Sequence, residues 1–281
     1  MITTSRPRAT SAIDVLSLLL EERTGQRIDA TRAWRIETAL KPMLRDRGLE
    51  SLEDLAALVA SHGDRAIAKQ VVDALLNQET SFFRDAAVLD LVTDAVLDMA
   101  EASPGRRLRL WSAGCSSGQE PLSLAMLFAE RMAADGLPDI VATDVSDAAV
   151  ARARAGRFSQ FEIQRGLPVR RMVQWFDDTA GGEWIAKADL VRRISFRQMN
   201  LIADPLPIGR FDVILCRNVL LYLPADIRRG IFDRFAQVIR PGGLLVLGAG
   251  ETVIGQTGAF RPSVRFRGLY EPAGTLAPKA V

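Results

Sequence analysis

Leu108-Arg-Leu-Trp111-Ser-Ala-Gly114-Cys-Ser-Ser-Gly118-Gln-Glu120-Pro121 is the stretch whose reading decides the fold. Residues 108–111 form an apolar run that reads as a short buried strand, and a glycine-bearing turn follows it. Pro121 suits the first turn of a helix, where its missing N–H costs nothing, and that helix is expected to run from about Glu120 to Ala134. The alternation continues downstream with a strand over 139–142 ending at Asp144, a helix over 147–154, a strand over 211–216, a helix over 225–239, the turn Pro241-Gly242-Gly243 and a strand over 244–247. Strands alternating with helices need crossover connections, so a mostly parallel sheet is expected. A last strand, 266–270, is expected to pair antiparallel at its end. The crossover from Gly156 to about Met199 is too long to be plain connection. Its alternating pieces, 183–185 and 190–196, point to a small inserted antiparallel β-subdomain.

Upstream of this the periodicity is helical from Ser11 to about Ala102. Ile13, Leu16, Leu19 and Leu20 share a face, and Gly25 ends that helix. A second helix is expected from Thr31, as N-cap, to Arg47. Gly48 closes it, and Pro42 must kink or split it. Ser51 and Asp54 have the spacing of a capping box for a third helix. A fourth covers 64–76, and another periodic stretch reaches Met99. The expected organisation is a helical domain over 1–85, a linker helix over 86–105, and an α/β domain of Rossmann type over 106–281 that contains the insertion 156–199.

The composition excludes several classes of function. The 36 basic and 34 acidic residues of 281 nearly cancel, which argues against bulk nucleic-acid binding. His62 is the sole histidine and Cys115 and Cys216 the only cysteines, so neither a Ser-His-Asp hydrolase nor a metal centre is expected. The opening residues do not read as a signal peptide and no run is long enough to span a membrane, so a cytoplasmic protein is expected.

The turn after the first strand lacks the Gly-Lys-Ser/Thr of a triphosphate loop and the Gly-x-Gly-x-x-Gly order of a dinucleotide site. Gly114 and Gly118 let the backbone approach a ligand closely. Glu120 puts a carboxylate at the helix start, where it repels phosphate and can accept from an ammonium group, or can simply cap its own helix. Asp144 ends the second strand, where an acidic residue can take both ribose hydroxyls or serve as an N-cap. The run Cys216-Arg217-Asn218-Val219-Leu220-Leu221-Tyr222 leaves another apolar strand at the edge where α/β sheets bind ligands. Tyr222 offers an aromatic face and a hydroxyl there, or is a half-buried packing residue.

Together these pieces resemble the CheR family of chemotaxis-receptor glutamate methyltransferases: Thr80-x-Phe82-Phe83-Arg84, the turn 111–121, Ala142-Thr-Asp144, Asn200-Leu201 and Cys216–Tyr222, in that order, over nearly the whole chain. The resemblance implies that S-adenosylmethionine is the cofactor and S-adenosylhomocysteine the product. It also implies that Thr80 and Arg84 reach the cofactor, Arg84 near the reacting end, that Glu120 binds the methionine part and Asp144 the ribose, and that Asn200, Leu201, Arg217 and Asn218 line the pocket. Tyr222 would stand beside the transferred methyl. Where the family has an asparagine, this chain has Gln78, whose amide sits on a longer arm. The implied substrate is a glutamate carboxylate on the cytoplasmic helical domain of a receptor, and Arg32, Arg35, Lys41 and Arg45 are the expected docking residues. Two alternatives are a silent cofactor-binding sensor and a methyltransferase with another substrate.

Overall fold

The computed structural model describes residues 11–28, 31, 33–62, 65–207 and 209–274. The chain divides into two compact units: Met1–Asn77 with Tyr222–Pro224, and Gln78–Leu221 with Ala225–Val281. The boundary therefore falls at 77/78 rather than near 85.

In the first unit, α1 (Ala12–Thr24) opens on a capping box. Ser11 N donates to the Asp14 carboxylate at 3.1 Å, and Asp14 N donates to the Ser11 hydroxyl at 3.2 Å. Gly25 ends the helix with φ 72°, a left-handed conformation that glycine adopts without strain. α2 (Trp34–Arg47) starts later than expected, with Ala33 rather than Thr31 at the N-cap, and Pro42 lies inside it without splitting it. Arg32 and Asp64 lie outside the described residues. α3 (Leu52–His62) follows the expected box, in which Ser51 N donates to Asp54 at 3.0 Å and Asp54 N to the Ser51 hydroxyl at 3.2 Å. With α4 (Arg65–Leu75) these helices bury Leu16, Leu20, Ile36, Leu40, Leu55 and Val71 completely.

The second unit begins with α5 (Ala86–Glu101). Its buried face (Leu89, Val92, Ala95, Val96) shares one core with Leu108, Leu122 and Met126. The segment expected as a linker is therefore a structural helix of this unit. Its sheet contains β1 (Arg109–Ala113), β2 (Asp139–Asp144), β6 (Ile194–Gln198), β7 (Phe211–Cys216), β8 (Ile239–Leu247), β9 (Phe260–Pro262) and β10 (Tyr270–Pro272), in the order β6-β2-β1-β7-β8-β10-β9. The first five strands are parallel, while β10 pairs antiparallel with both β8 and β9. The expected strand over 266–270 is thus displaced to 270–272. Leu269 N instead donates to Phe266 O at 3.0 Å in a turn. α6 (Gln119–Arg131), α7 (Asp147–Ala155) and α8 (Ala225–Val238) supply crossover helices. Strand order reverses between β1 and β7, and open α/β sheets bind ligands in the crevice at such a reversal, outside the carboxyl ends of the strands.

The insertion is a three-stranded antiparallel sheet, β3 (Arg157–Ser159), β5 (Glu183–Ala186) and β4 (Phe176–Asp178) in that spatial order. It is shorter than expected, because residues 194–198, counted within it from sequence, form β6 of the main sheet. Phe82 of the Thr80–Arg84 motif packs edge-on against Phe158 and Phe176 of this small sheet, with ring centroids 5.0 and 5.5 Å away. That phenylalanine therefore anchors the insertion, which accounts for its place in the motif.

Candidate active site

Four peptide segments converge at the carboxyl ends of β1, β2 and β7. After β1 the chain turns at Gly114 (φ 84°) and donates from Gly114 N and Cys115 N to Thr143 O at 2.7 and 2.9 Å. A Cβ on Gly114 would lie 2.4 Å from Val219 Cγ2, and one on Gly118 (φ 95°) would lie 2.9 Å from the Ala153 methyl. Both glycines are thus required by contacts within the chain itself, whatever ligand lies beside them. Gly114→Ala is expected to destabilise by about 2 kcal/mol, the sum of left-handed backbone strain and a displaced valine. In chemical denaturation Val219→Ala should recover part of that loss, and no recovery would refute the steric account.

Glu120 sits in the first turn of α6 but does not cap it. Its Oε1 accepts from the Ser112 hydroxyl at 2.8 Å and its Oε2 from Arg217 Nη1 at 3.0 Å. The Arg217 side chain is 2% exposed, and its Nη2 also donates to Asp85 Oδ2 at 2.6 Å and to Arg84 O at 2.9 Å. One guanidinium thus ties β7 to the Thr80–Arg84 motif and to α6. Two carboxylates share this single guanidinium, so the cluster keeps one uncompensated negative charge. Asp85, 44% exposed, is the more accessible of the two carboxylates, and Glu120, 16% exposed, is the one held to the β1 strand through Ser112. Backbone strain is concentrated here as well, for Phe83, Asp85, Ser116 and Asn218 all have positive φ (51°, 54°, 49° and 59°).

Asp144 is not the cap of α7, since Ser146 holds that place and its hydroxyl accepts from Ala149 N at 3.1 Å. Asp144 instead takes Ser116 N on Oδ2 at 2.8 Å and Ser146 N on Oδ1 at 2.9 Å. Gln78 joins the same group, its backbone carbonyl accepting from the Ser116 hydroxyl at 3.0 Å and its side-chain amide donating to the Ser146 hydroxyl at 3.3 Å. The longer amide thus supports the turn that presents Asp144. Arg84 Nη1 donates to Glu79 O at 3.1 Å, and Thr80 is half-buried beside it in sequence.

Asn200 and Leu201 form a turn just past β6, where Asn200 N donates to Asp204 at 2.7 Å and Ile202 N to Asn200 Oδ1 at 3.1 Å. Asn218 is half-buried, with its Oδ1 fully enclosed and without a hydrogen-bond donor. Tyr222 groups with the first unit; it is half-buried, and Asn77 donates to its hydroxyl.

Two participants escaped the sequence reading. Asp85 is the second acidic partner of Arg217. Glu251 lies beyond β8 and accepts from the backbone of residues 218–221. The sequence signal available for it was only a carboxylate following Gly248 and Gly250 at the end of a strand.

Burial pushes the Cys115 thiol well above its usual range, and the carboxylates of Asp144 and Glu120 add to the effect. Cys216 is raised in the same way, first by burial and then by Glu251 and Glu120. Both thiols therefore stay protonated and unreactive in the folded protein. The stability this contributes is present below the unfolded thiol range, about 8.5, and is lost as pH rises above it. Iodoacetamide at pH 8 should label neither cysteine until denaturant unfolds the chain, and rapid labelling of the native protein would contradict this burial. Among the described residues no group of His, Cys, Asp or Glu is placed to hold a metal, and no helix is long and apolar enough to cross a membrane.

The donor set suits S-adenosylmethionine. Glu120 offers a carboxylate that an ammonium fits, Asp144 offers one that ribose hydroxyls fit, and Asn218 Oδ1 is a buried acceptor without a donor. Residues 78–266 match the family description "CheR methyltransferase, SAM binding domain". The chain is 33% identical to chemotaxis protein methyltransferase Cher2 of Pseudomonas putida over 85% of its own length and 89% of the relative's. It is likewise 33% identical to chemotaxis protein methyltransferase 1 of Pseudomonas aeruginosa, over 87% and 91%. Among solved structures the glycopeptide N-methyltransferase MtfA is a looser likeness, with TM-score 0.34 and 17% identity over 55% of this chain and 52% of its own. The crevice at the sheet reversal and the extent of these matches agree: the chain belongs to the CheR methyltransferase family and uses S-adenosylmethionine as its cofactor.

Proposed function

We propose that this methyltransferase esterifies glutamate side chains on the cytoplasmic helices of chemotaxis receptors. The observation that carries the reading is that, among the described residues, the site holds no thiolate and its carboxylates are already engaged by protein donors. Both thiols are held protonated, and Glu120 and Asp144 are each engaged by two or more donors. Such a site suits a nucleophile that arrives already ionised, as a glutamate with a reference pKa of about 4.3 does at neutral pH. The relatives' chemotaxis designation supports the receptor as the source of that glutamate.

When bound, S-adenosylmethionine supplies a methyl carbon on a sulfonium, which a carboxylate oxygen can take directly with S-adenosylhomocysteine as the product. The chain's own part is to align and exclude water. Glu120 holds the ammonium end, and Asp144, oriented by Ser116, Ser146 and Gln78, holds the ribose. Thr80, Asn200, Leu201, Arg217 and Asn218 line the remainder. Arg84 orients the incoming carboxylate, and Tyr222 shapes the path of the methyl group. Receptor docking is assigned to the basic residues of α2, namely Arg35, Lys41 and Arg45, with Arg32 just before it. Lys41 and Arg45 are exposed one turn apart, the spacing at which helix side chains share a face and can meet an acidic helix.

Incubation with methyl-labelled cofactor and a receptor cytoplasmic fragment, followed by mild base, tests the reading. Methyl esters release volatile labelled methanol. Label that survives base, or label absent despite tight cofactor binding, would refute it.

A further inference from the structure

Glu251 lies outside every motif that pointed to the site, yet its carboxylate is the most heavily engaged acceptor near it. Oε1 takes Val219 N, Leu220 N and Leu221 N at 2.9, 2.7 and 3.2 Å, while Oε2 takes Asn218 N and Gly248 N, both at 2.8 Å. Four consecutive N–H groups of the segment leaving β7 thus converge on one side chain. They are the donors that a tight turn opening the short helical turn Leu220–Tyr222 leaves unpaired. Gly248 makes the approach possible, because a Cβ there would lie 2.8 Å from Asn218 N and 2.9 Å from Glu251 Oε2. Asn218 itself is left-handed at φ 59°, a region asparagine enters more readily than most side chains do. Its side-chain oxygen remains enclosed and without a donor.

We infer that Glu251 is a positioning residue, whose carboxylate fixes the 218–221 backbone and with it the place of Asn218 at the cofactor site. The inference rests on the assignment of Asn218 to the cofactor site made above. A carboxylate suits the task because it only accepts. In Glu251→Gln one oxygen becomes an NH2 group facing backbone N–H donors, so the strained turn must relax and Asn218 must move.

The comparison that isolates positioning from stability is Asp212→Asn. Asp212 is also a buried carboxylate, at the opposite end of β7, where it holds Arg106 at 2.7 Å and Arg109 N at 2.9 Å. The unaltered chain, Glu251→Gln and Asp212→Asn are melted and then titrated with S-adenosylmethionine by calorimetry well below melting. Both variants should melt lower, but only Glu251→Gln should weaken cofactor affinity, by about tenfold or more. Affinity within about twofold of the unaltered chain, or equal weakening by Asp212→Asn, overturns the inference. Should Glu251→Gln not fold, Glu251→Asp, which is too short to reach all five donors, is read by the same criteria. The binding measurement decides even where the unaltered chain fails to esterify a receptor fragment, so failure of the glutamate assignment shows separately.

Discussion

Arg217→Met is expected to lower stability by about 3 kcal/mol, because truncating one member of a buried ion pair strands its partners. For a unit of this size that corresponds to a fall in Tm on the order of 10 °C. The loss is not that of a surface salt bridge, since the guanidinium is 2% exposed while Glu120 is 16% and Asp85 44% exposed. Asp85 can return to water at small cost, whereas Glu120 keeps only the Ser112 hydroxyl. Arg217→Lys should restore less than half of the loss, because one ammonium cannot reach Glu120, Asp85 and Arg84 O together. Adding Glu120→Gln to Arg217→Met should cost less than it does alone, with a coupling of about 1–2 kcal/mol in denaturant melts. Strict additivity would mean that the 3.0 Å contact contributes nothing.

This cluster also shows where the sequence stops being readable. Strand β1, its turn and α6 could be read because an apolar run, two glycines and an early proline each have a local cause. Arg217 and Glu120 lay in recognisable motifs, but their partnership spans 97 positions and involves Asp85, which no local pattern marks. Strand β6 was mistaken for part of the insertion for a physical reason. It is the edge strand of the main sheet and alternates buried Ile194 and Phe196 with exposed neighbours, as an antiparallel strand would. Helix α5 read as a linker because amphipathic periodicity shows that a helix has a buried face without showing which core receives it. Glu251 was invisible because its partners are backbone N–H groups some thirty residues upstream, and every sequence has those.

Glu120→Gln is expected to weaken S-adenosylmethionine binding by about 10- to 100-fold, the equivalent of one charge-assisted hydrogen bond of about 1.5–3 kcal/mol. The amide keeps the shape and can still take Ser112 or Arg217 on its oxygen, but it removes the carboxylate charge proposed to meet the ammonium. Part of any loss will come from loosening Arg217, so affinity for the intact cofactor alone cannot identify the contact. 5′-Methylthioadenosine supplies the missing comparison, for it keeps the adenosine and lacks the ammonium. If Glu120 engages that ammonium, the substitution should penalise S-adenosylmethionine heavily and methylthioadenosine by less than about threefold. Asp144→Asn should weaken both ligands alike, because both carry the ribose. Equal losses for the two ligands in Glu120→Gln would mean that the carboxylate acts only through Arg217, and the methionine end would need another acceptor.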